Sequence, residues 1–207
     1  MAAGLSAIRP VELVSLDIPK PPGLLSCYKS VIQAKKKIMS IATDYLMTDK
    51  VDVNIGLHRE KLAVVADILK QLLADEHVLY VKLRNYHWNV TGMNFQQLHA
   101  FFSEQYTAVS TYIDDIAERI RSLGVFAPGS MESFRENSRL EESGHLNGDA
   151  GQMLENLLHD HEAIIRSLRQ DEKVVAEAGG DAGTQDFLIG LMEAHEKFAW
   201  MVRAHLG

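Results

Sequence analysis

The chain has 207 residues, 46% of them apolar, one cysteine (Cys27) and a formal net charge of −7. That suffices for one well-buried domain with a tail, excludes an intramolecular disulfide framework and fits a reducing compartment. No window reaches the ~18 uninterrupted apolar residues of a membrane span, and the start carries Glu12 and Asp17 without a basic or long apolar leader, so a cytoplasmic protein is expected.

Residues 1–56 read as a tail. Pro10, Pro19, Pro21, Pro22 and Gly23 keep its first part extended, while 26–47 can form a helix bearing Lys29, Lys35, Lys36 and Lys37. The tail is basic and the remainder acidic. This asymmetry is the direct sequence feature that bears on nucleic acid: a solvated helix face is one reading of the lysines, contact with DNA phosphates the other.

Residues 57–207 read as one all-α domain. Residues 58–89 place Leu62, Val65, Leu69, Leu72, Leu79 and Leu83 at a helical period without Gly or Pro. After Thr91-Gly92, Asn94 is expected to cap a second helix running to Leu123, with Gly124 as its left-handed terminator. A long polar link follows, with a short helix at 131–136. A third long helix spans 150–178, stopped by Gly179-Gly180, and the last begins near Thr184. No stretch reads as a strand, so the expected architecture is a four-helix bundle with a short helix in a long central crossover and an N-terminal extension.

Metal-ligand residue types gather between 87 and 118. Asp114 and Glu118 are four apart and share a helix face. His99 precedes Asp114 by fifteen positions, which returns to within roughly 60° of the same face but about 22 Å further along the axis. Metal–ligand bonds are about 2 Å long, so one cation cannot touch both within a chain. A second copy, antiparallel about a two-fold axis near 106–109, would bring each histidine end against the other's acidic end and make two equivalent sites. His87 would join from the preceding helix. The competing reading is a solvated, salt-bridged face with histidines that only pack.

His87-Trp88-Asn89, Gly92, Asn94-Phe95, Leu98-His99, Asp114, Ile116-Ala117-Glu118-Arg119 and Leu123-Gly124 resemble the Dps family, the mini-ferritins. The resemblance continues through Ala127-Pro128-Gly129-Ser130, Asp186-Phe187-Leu188, His195-Glu196-Lys197 and Trp200-Met201, and covers roughly residues 57–207. It implies a ferritin-like fold, a hollow dodecamer, and Fe(II) oxidation at inter-subunit centres, with hydrogen peroxide preferred over dioxygen, followed by storage of ferric mineral and protection of DNA. It assigns His87, His99, Asp114 and Glu118 to the metal, and lets Trp88 supply or trap an electron. It also implies iron-entry pores lined by acidic residues near the start of the last helix, here Glu177, Asp181 and Asp186.

The alternative of a metal inside one bundle needs Glu-x-x-His motifs on two helices. The one match, at 142–145, falls in the Gly-containing link. One position departs from the family pattern: Ser103 stands where a carboxylate is usual. A neutral hydroxyl cannot bridge two hard cations as a carboxylate does, which leaves one-metal and two-metal centres both open. Glu104, about 100° around the helix, or His205 could compensate, and an added imidazole would favour zinc over iron. Two rival functions follow: a DNA-protecting cage whose oxidation centre is impaired or differently metallated, and a helical interaction protein without metal.

Overall fold

The computed structural model describes residues 53–142 and 148–207. Cys27, the four tail lysines and residues 143–145 of the Glu-x-x-His match lie outside them. Within the described residues the helices are α1 (Arg59–Asn89), α2 (Phe95–Ser122), α3 (Met131–Asn137), α4 (Ala150–Val174) and α5 (Ala182–Leu206), with a π turn at Val175–Gly179. The predicted all-α bundle with a short crossover helix is what forms.

Each long helix buries the stripe its period announces. In α1, Leu62, Val65, Leu69, Leu72, Leu73, Leu79 and Leu83 are all buried. In α5, Leu188, Leu191, Phe198 and Val202 face inward. His77, on the flank of α1, stacks on Phe134 of α3 with ring centroids 3.6 Å apart, which seats the short helix against the bundle.

Helix ends differ from expectation in two places. Asn94 occupies the cap position of α2, but at φ −97°, ψ 20° its side chain makes no capping bond; the extended backbone that aims a capping oxygen at the first turn is missing. α5 starts at Ala182 rather than near Thr184, because the Asp181 side chain accepts from the Thr184 amide at 3.0 Å and caps it. Gly124 behaves as predicted, with φ +80° beyond the end of α2. Between α4 and α5, a Cβ on Gly179 would lie 2.6 Å from a methyl of Val65, so this turn passes α1 more closely than any side chain allows.

The pairings give the topology. His87 meets His99 and Tyr80 meets Tyr106, so α1 and α2 form an antiparallel hairpin. His161 meets His195 and Gln185 bonds Glu172, so α4 and α5 form a second. Lys82 pairs with Asp160 and Tyr86 with Asn156, which sets α4 antiparallel to α1. Hence α2 and α4 run the same way. The link from 123 to 149 must therefore travel the length of α2, about 42 Å for its 28 residues. Arg139 ties that link down. Its side chain bridges Asp75 of α1 (2.7 Å) and Asp171 of α4 (2.8 Å), while its backbone N–H also donates to Asp75. Burial raises the Asp75 carboxyl above its ordinary range, and Arg139 only partly opposes that.

Candidate metal centre

His87 and His99 sit on opposite sides of the α1–α2 turn and hold each other. His87 Nδ1–H donates to the carbonyl of His99, and His99 Nδ1–H donates to the carbonyl of His87, both at 2.7 Å. A carbonyl can only accept, so each Nδ1 carries a proton, and it is the neutral imidazole with its Nε2 lone pair that can take a cation. The two rings stack, with centroids 3.7 Å apart and planes 20° apart. Phe95 covers His99 at 5.2 Å and the edge of Tyr106 meets His87 at 5.2 Å. The His87 carbonyl lies in the last turn of α1, where backbone acceptors lack helical donors; the imidazole of His99 satisfies it. Fixing the tautomer through the outer nitrogen is what orients histidines for a metal.

Ser103 lies one turn after His99, and its hydroxyl bonds the phenol of Tyr106 at 3.1 Å. Glu104 is exposed. Asp114 and Glu118 are both exposed on one face near the far end of α2. Glu118 borders a shallow groove with Asp115, Arg119, Gly183 and Phe187. Among the described residues, no group of three or more His, Cys, Asp or Glu side chains converges within one chain. The histidine pair and the acidic pair thus lie apart within one chain.

The remaining candidates are dispersed. Trp88 is 62% exposed, with the Arg84 guanidinium 4.9 Å over its ring. His205 stacks on Phe101 at 4.5 Å and bonds the Met201 carbonyl. Phe101 is two positions before Ser103, about 200° around α2, so this imidazole does not reach the Ser103 side of its own chain. Glu177 and Asp186 are exposed. Asp181 is 5% exposed, and both its oxygens are engaged by Arg119 at 3.1 and 2.9 Å and by Thr184. Burial alone would raise this carboxyl, but Thr184 and Arg119 together hold it below its ordinary value. Of the three acidic residues, Glu177 and Asp186 are thus open to solvent, and Asp181 caps α5.

Sequence reasoning missed a polar chain through the middle of the bundle. Glu76 of α1, Gln105 of α2, His161 of α4 and His195 of α5 are each fully buried. His195 Nε2–H donates to Glu76 at 2.8 Å, the two histidines share a hydrogen bond between their Nδ1 atoms at 2.9 Å, and His161 Nε2 meets Gln105 at 2.9 Å. The signal was a polar residue on the apolar stripe of each long helix, as His161 is between Leu157 and Ile164. The links run in line from residue to residue and converge on no common point.

A family model for a ferritin-like domain matches residues 66–207. An uncharacterized low temperature-induced protein of Nostoc sp. is 44% identical over 154 residues, covering 74% of this chain and 86% of that one. A "DNA protection during starvation protein 2" of Bacillus anthracis is 37% identical over 142 residues, 69% of this chain and 96% of the relative. Among solved structures, a Dps protein of Vibrio cholerae O1, described as a member of a broad superfamily of ferritin-like diiron-carboxylate proteins, aligns with TM-score 0.72 at 29% identity over 77% of this chain and all of that one. A Dps protein of Bacillus brevis aligns with TM-score 0.68 at 35% identity over 72% and 98%. With the bundle topology, the histidine clamp and these relatives together, the chain belongs to the Dps family of ferritin-like proteins.

Proposed function

We propose that this protein stores iron and protects DNA from oxidative damage, assembling as a homo-oligomer, a dodecamer, in which Fe(II) is the substrate of centres shared by two-fold-related subunits. The observation that carries this is the reciprocal His87–His99 clamp, which ties both Nδ1 atoms to carbonyls and leaves the Nε2 atoms for a cation, while Asp114 and Glu118 lie about 22 and 28 Å from His99 along α2. Each half-site lacks what the other supplies. Hydrogen peroxide is the favoured oxidant. Fe(II) enters past Glu177 and Asp186, whose charge concentrates cations, and the ferric product is retained in the cage. Zinc competes for the same histidines, since imidazole suits it as well as iron.

The test compares Fe(II) oxidation by peroxide and by dioxygen in wild type, His99→Ala and Ser103→Glu. Rapid oxidation lost in His99→Ala supports an active centre. Slow wild-type oxidation rescued by Ser103→Glu favours a second reading, a DNA-protecting cage with a weakened centre. That reading draws on Ser103, whose hydroxyl is bonded to Tyr106 where a carboxylate would hold a second cation. It further requires that deleting residues 1–50, with Lys29, Lys35, Lys36 and Lys37, abolish a salt-sensitive DNA mobility shift.

A further inference from the structure

Hydrogen peroxide takes two electrons on its way to water, and one Fe(II) gives one. Ser103 offers a neutral hydroxyl where a bridging carboxylate would offset the repulsion between two cations. A centre built this way holds its first iron far better than a second. The missing electron must come from elsewhere if hydroxyl radical is not to form.

We propose that Tyr106 supplies that second electron, an inference that rests on the reading that Fe(II) is oxidised at the His87–His99 centre. The phenol ring stands edge-on against the His87 imidazole, 5.2 Å between centroids and 81° between planes, in van der Waals contact with a ligand ring. Helical side chains lean toward the N-terminus, so the Tyr106 ring reaches back along α2 toward Ser103 and His99. Its oxygen shares a hydrogen bond with the Ser103 hydroxyl. Either hydroxyl can donate in such a pair, which gives the phenolic proton a path toward the centre. The Arg84 guanidinium lies 4.9 Å over the Tyr106 ring. Tyr106 is half-buried, whereas Trp88 is 62% exposed.

The step balances as Fe(II) + Tyr106–OH + H2O2 + H+ giving Fe(III) + Tyr106–O• + 2 H2O. The O–O bond of peroxide breaks, iron and the phenol each lose one electron, and the phenolic proton ends in water. The next Fe(II) to bind returns an electron to the phenoxyl radical, which takes up a proton. The turnover then closes at two irons per peroxide, used one at a time.

The experiment loads the assembled full-length protein anaerobically with one Fe(II) per chain, mixes it with one equivalent of hydrogen peroxide, freezes it within milliseconds and records the electron paramagnetic resonance spectrum. A tyrosyl signal is expected, narrowed when the protein carries ring-deuterated tyrosine. It should vanish in Tyr106→Phe, which keeps the ring and removes one oxygen, and persist in Trp88→Phe. Spin-trapped hydroxyl radical should rise several-fold in Tyr106→Phe, and Ser103→Glu should suppress the tyrosyl signal by admitting a second iron. A signal that survives in Tyr106→Phe overturns the proposal, as does full oxidation at two irons per peroxide with no radical. If His99→Ala oxidises Fe(II) as fast as wild type, the assignment of the centre itself fails, and the role of Tyr106 falls with it.

Discussion

The proposed sharing of each centre between two chains makes a quantitative prediction about mixed assemblies. His99→Ala removes an imidazole from one half-site, and Glu118→Gln removes a carboxylate charge from the other, about 28 Å along the same helix for the 19 intervening steps. Each variant assembled alone has every centre damaged. In a two-fold pair with one chain of each kind, one centre combines the intact histidines of the Glu118→Gln chain with the intact carboxylates of the His99→Ala chain. The other centre carries both defects. Random pairing of equal amounts makes half the pairs mixed, so about a quarter of all centres are whole. The assay is the initial rate of Fe(II) oxidation after co-refolding or co-expression, with assembly size checked by light scattering. Recovery near a quarter of the wild-type rate is expected. A mixture no faster than its two parents would refute the shared centre.

Acid should weaken the bundle through His161. Burial, reinforced by the charge of His195, holds its pKa well below the ordinary 6.5, so the folded chain keeps it neutral while the unfolded chain protonates it. Stability from this group is intact above pH 6.5 and falls by about 1.4 kcal/mol per pH unit below it, until the folded value is reached; the urea midpoint of His161→Gln should shift less between pH 7 and pH 5 than that of wild type. Arg139→Ala leaves Asp75 as a buried carboxylate without its guanidinium and should cost about 3 kcal/mol, measured by denaturant unfolding. Gly124→Ala forces a left-handed φ on a side chain whose Cβ would lie 2.6 Å from a Val53 methyl, and a loss of about 2 kcal/mol is expected from the same measurement.

The helices were legible because their apolar residues recur at the period of the helix, as in Leu62, Val65, Leu69 and Leu72, and nothing local competes with that pattern. Their ends were less so. Asn94 has the composition of a cap but not the backbone angles, which depend on how Gly92 turns the chain. Asp181 reads from the sequence as a pore carboxylate and a helix-end acid together; its pairing with Arg119, a partner 62 positions away, cannot be seen in a local window. At the proposed centre, the spacing of His99 from Asp114 excludes one cation touching both within a chain. What spacing could not supply was the mutual bonding of His87 and His99, which needs the α1–α2 turn to set their carbonyls against each other's rings. The chain from Glu76 to Gln105 was hidden for a similar reason: each member looks like an isolated polar intrusion until four helices meet.

In the proposed centre, the mutual grip of His87 and His99 presents a cation with two imidazoles already set in place. Each imidazole is frozen by the other's main chain before any cation arrives, so the ordering cost of about 0.5–1.5 kcal/mol per side chain falls on folding rather than on capture. Removing either ring takes away the other's stacking partner but leaves its hydrogen bond to an intact main-chain carbonyl, so His87→Ala and His99→Ala should each keep part of the cation affinity that the double variant loses. Affinity is thereby encoded in the geometry of a five-residue turn as much as in the two histidines it brings together.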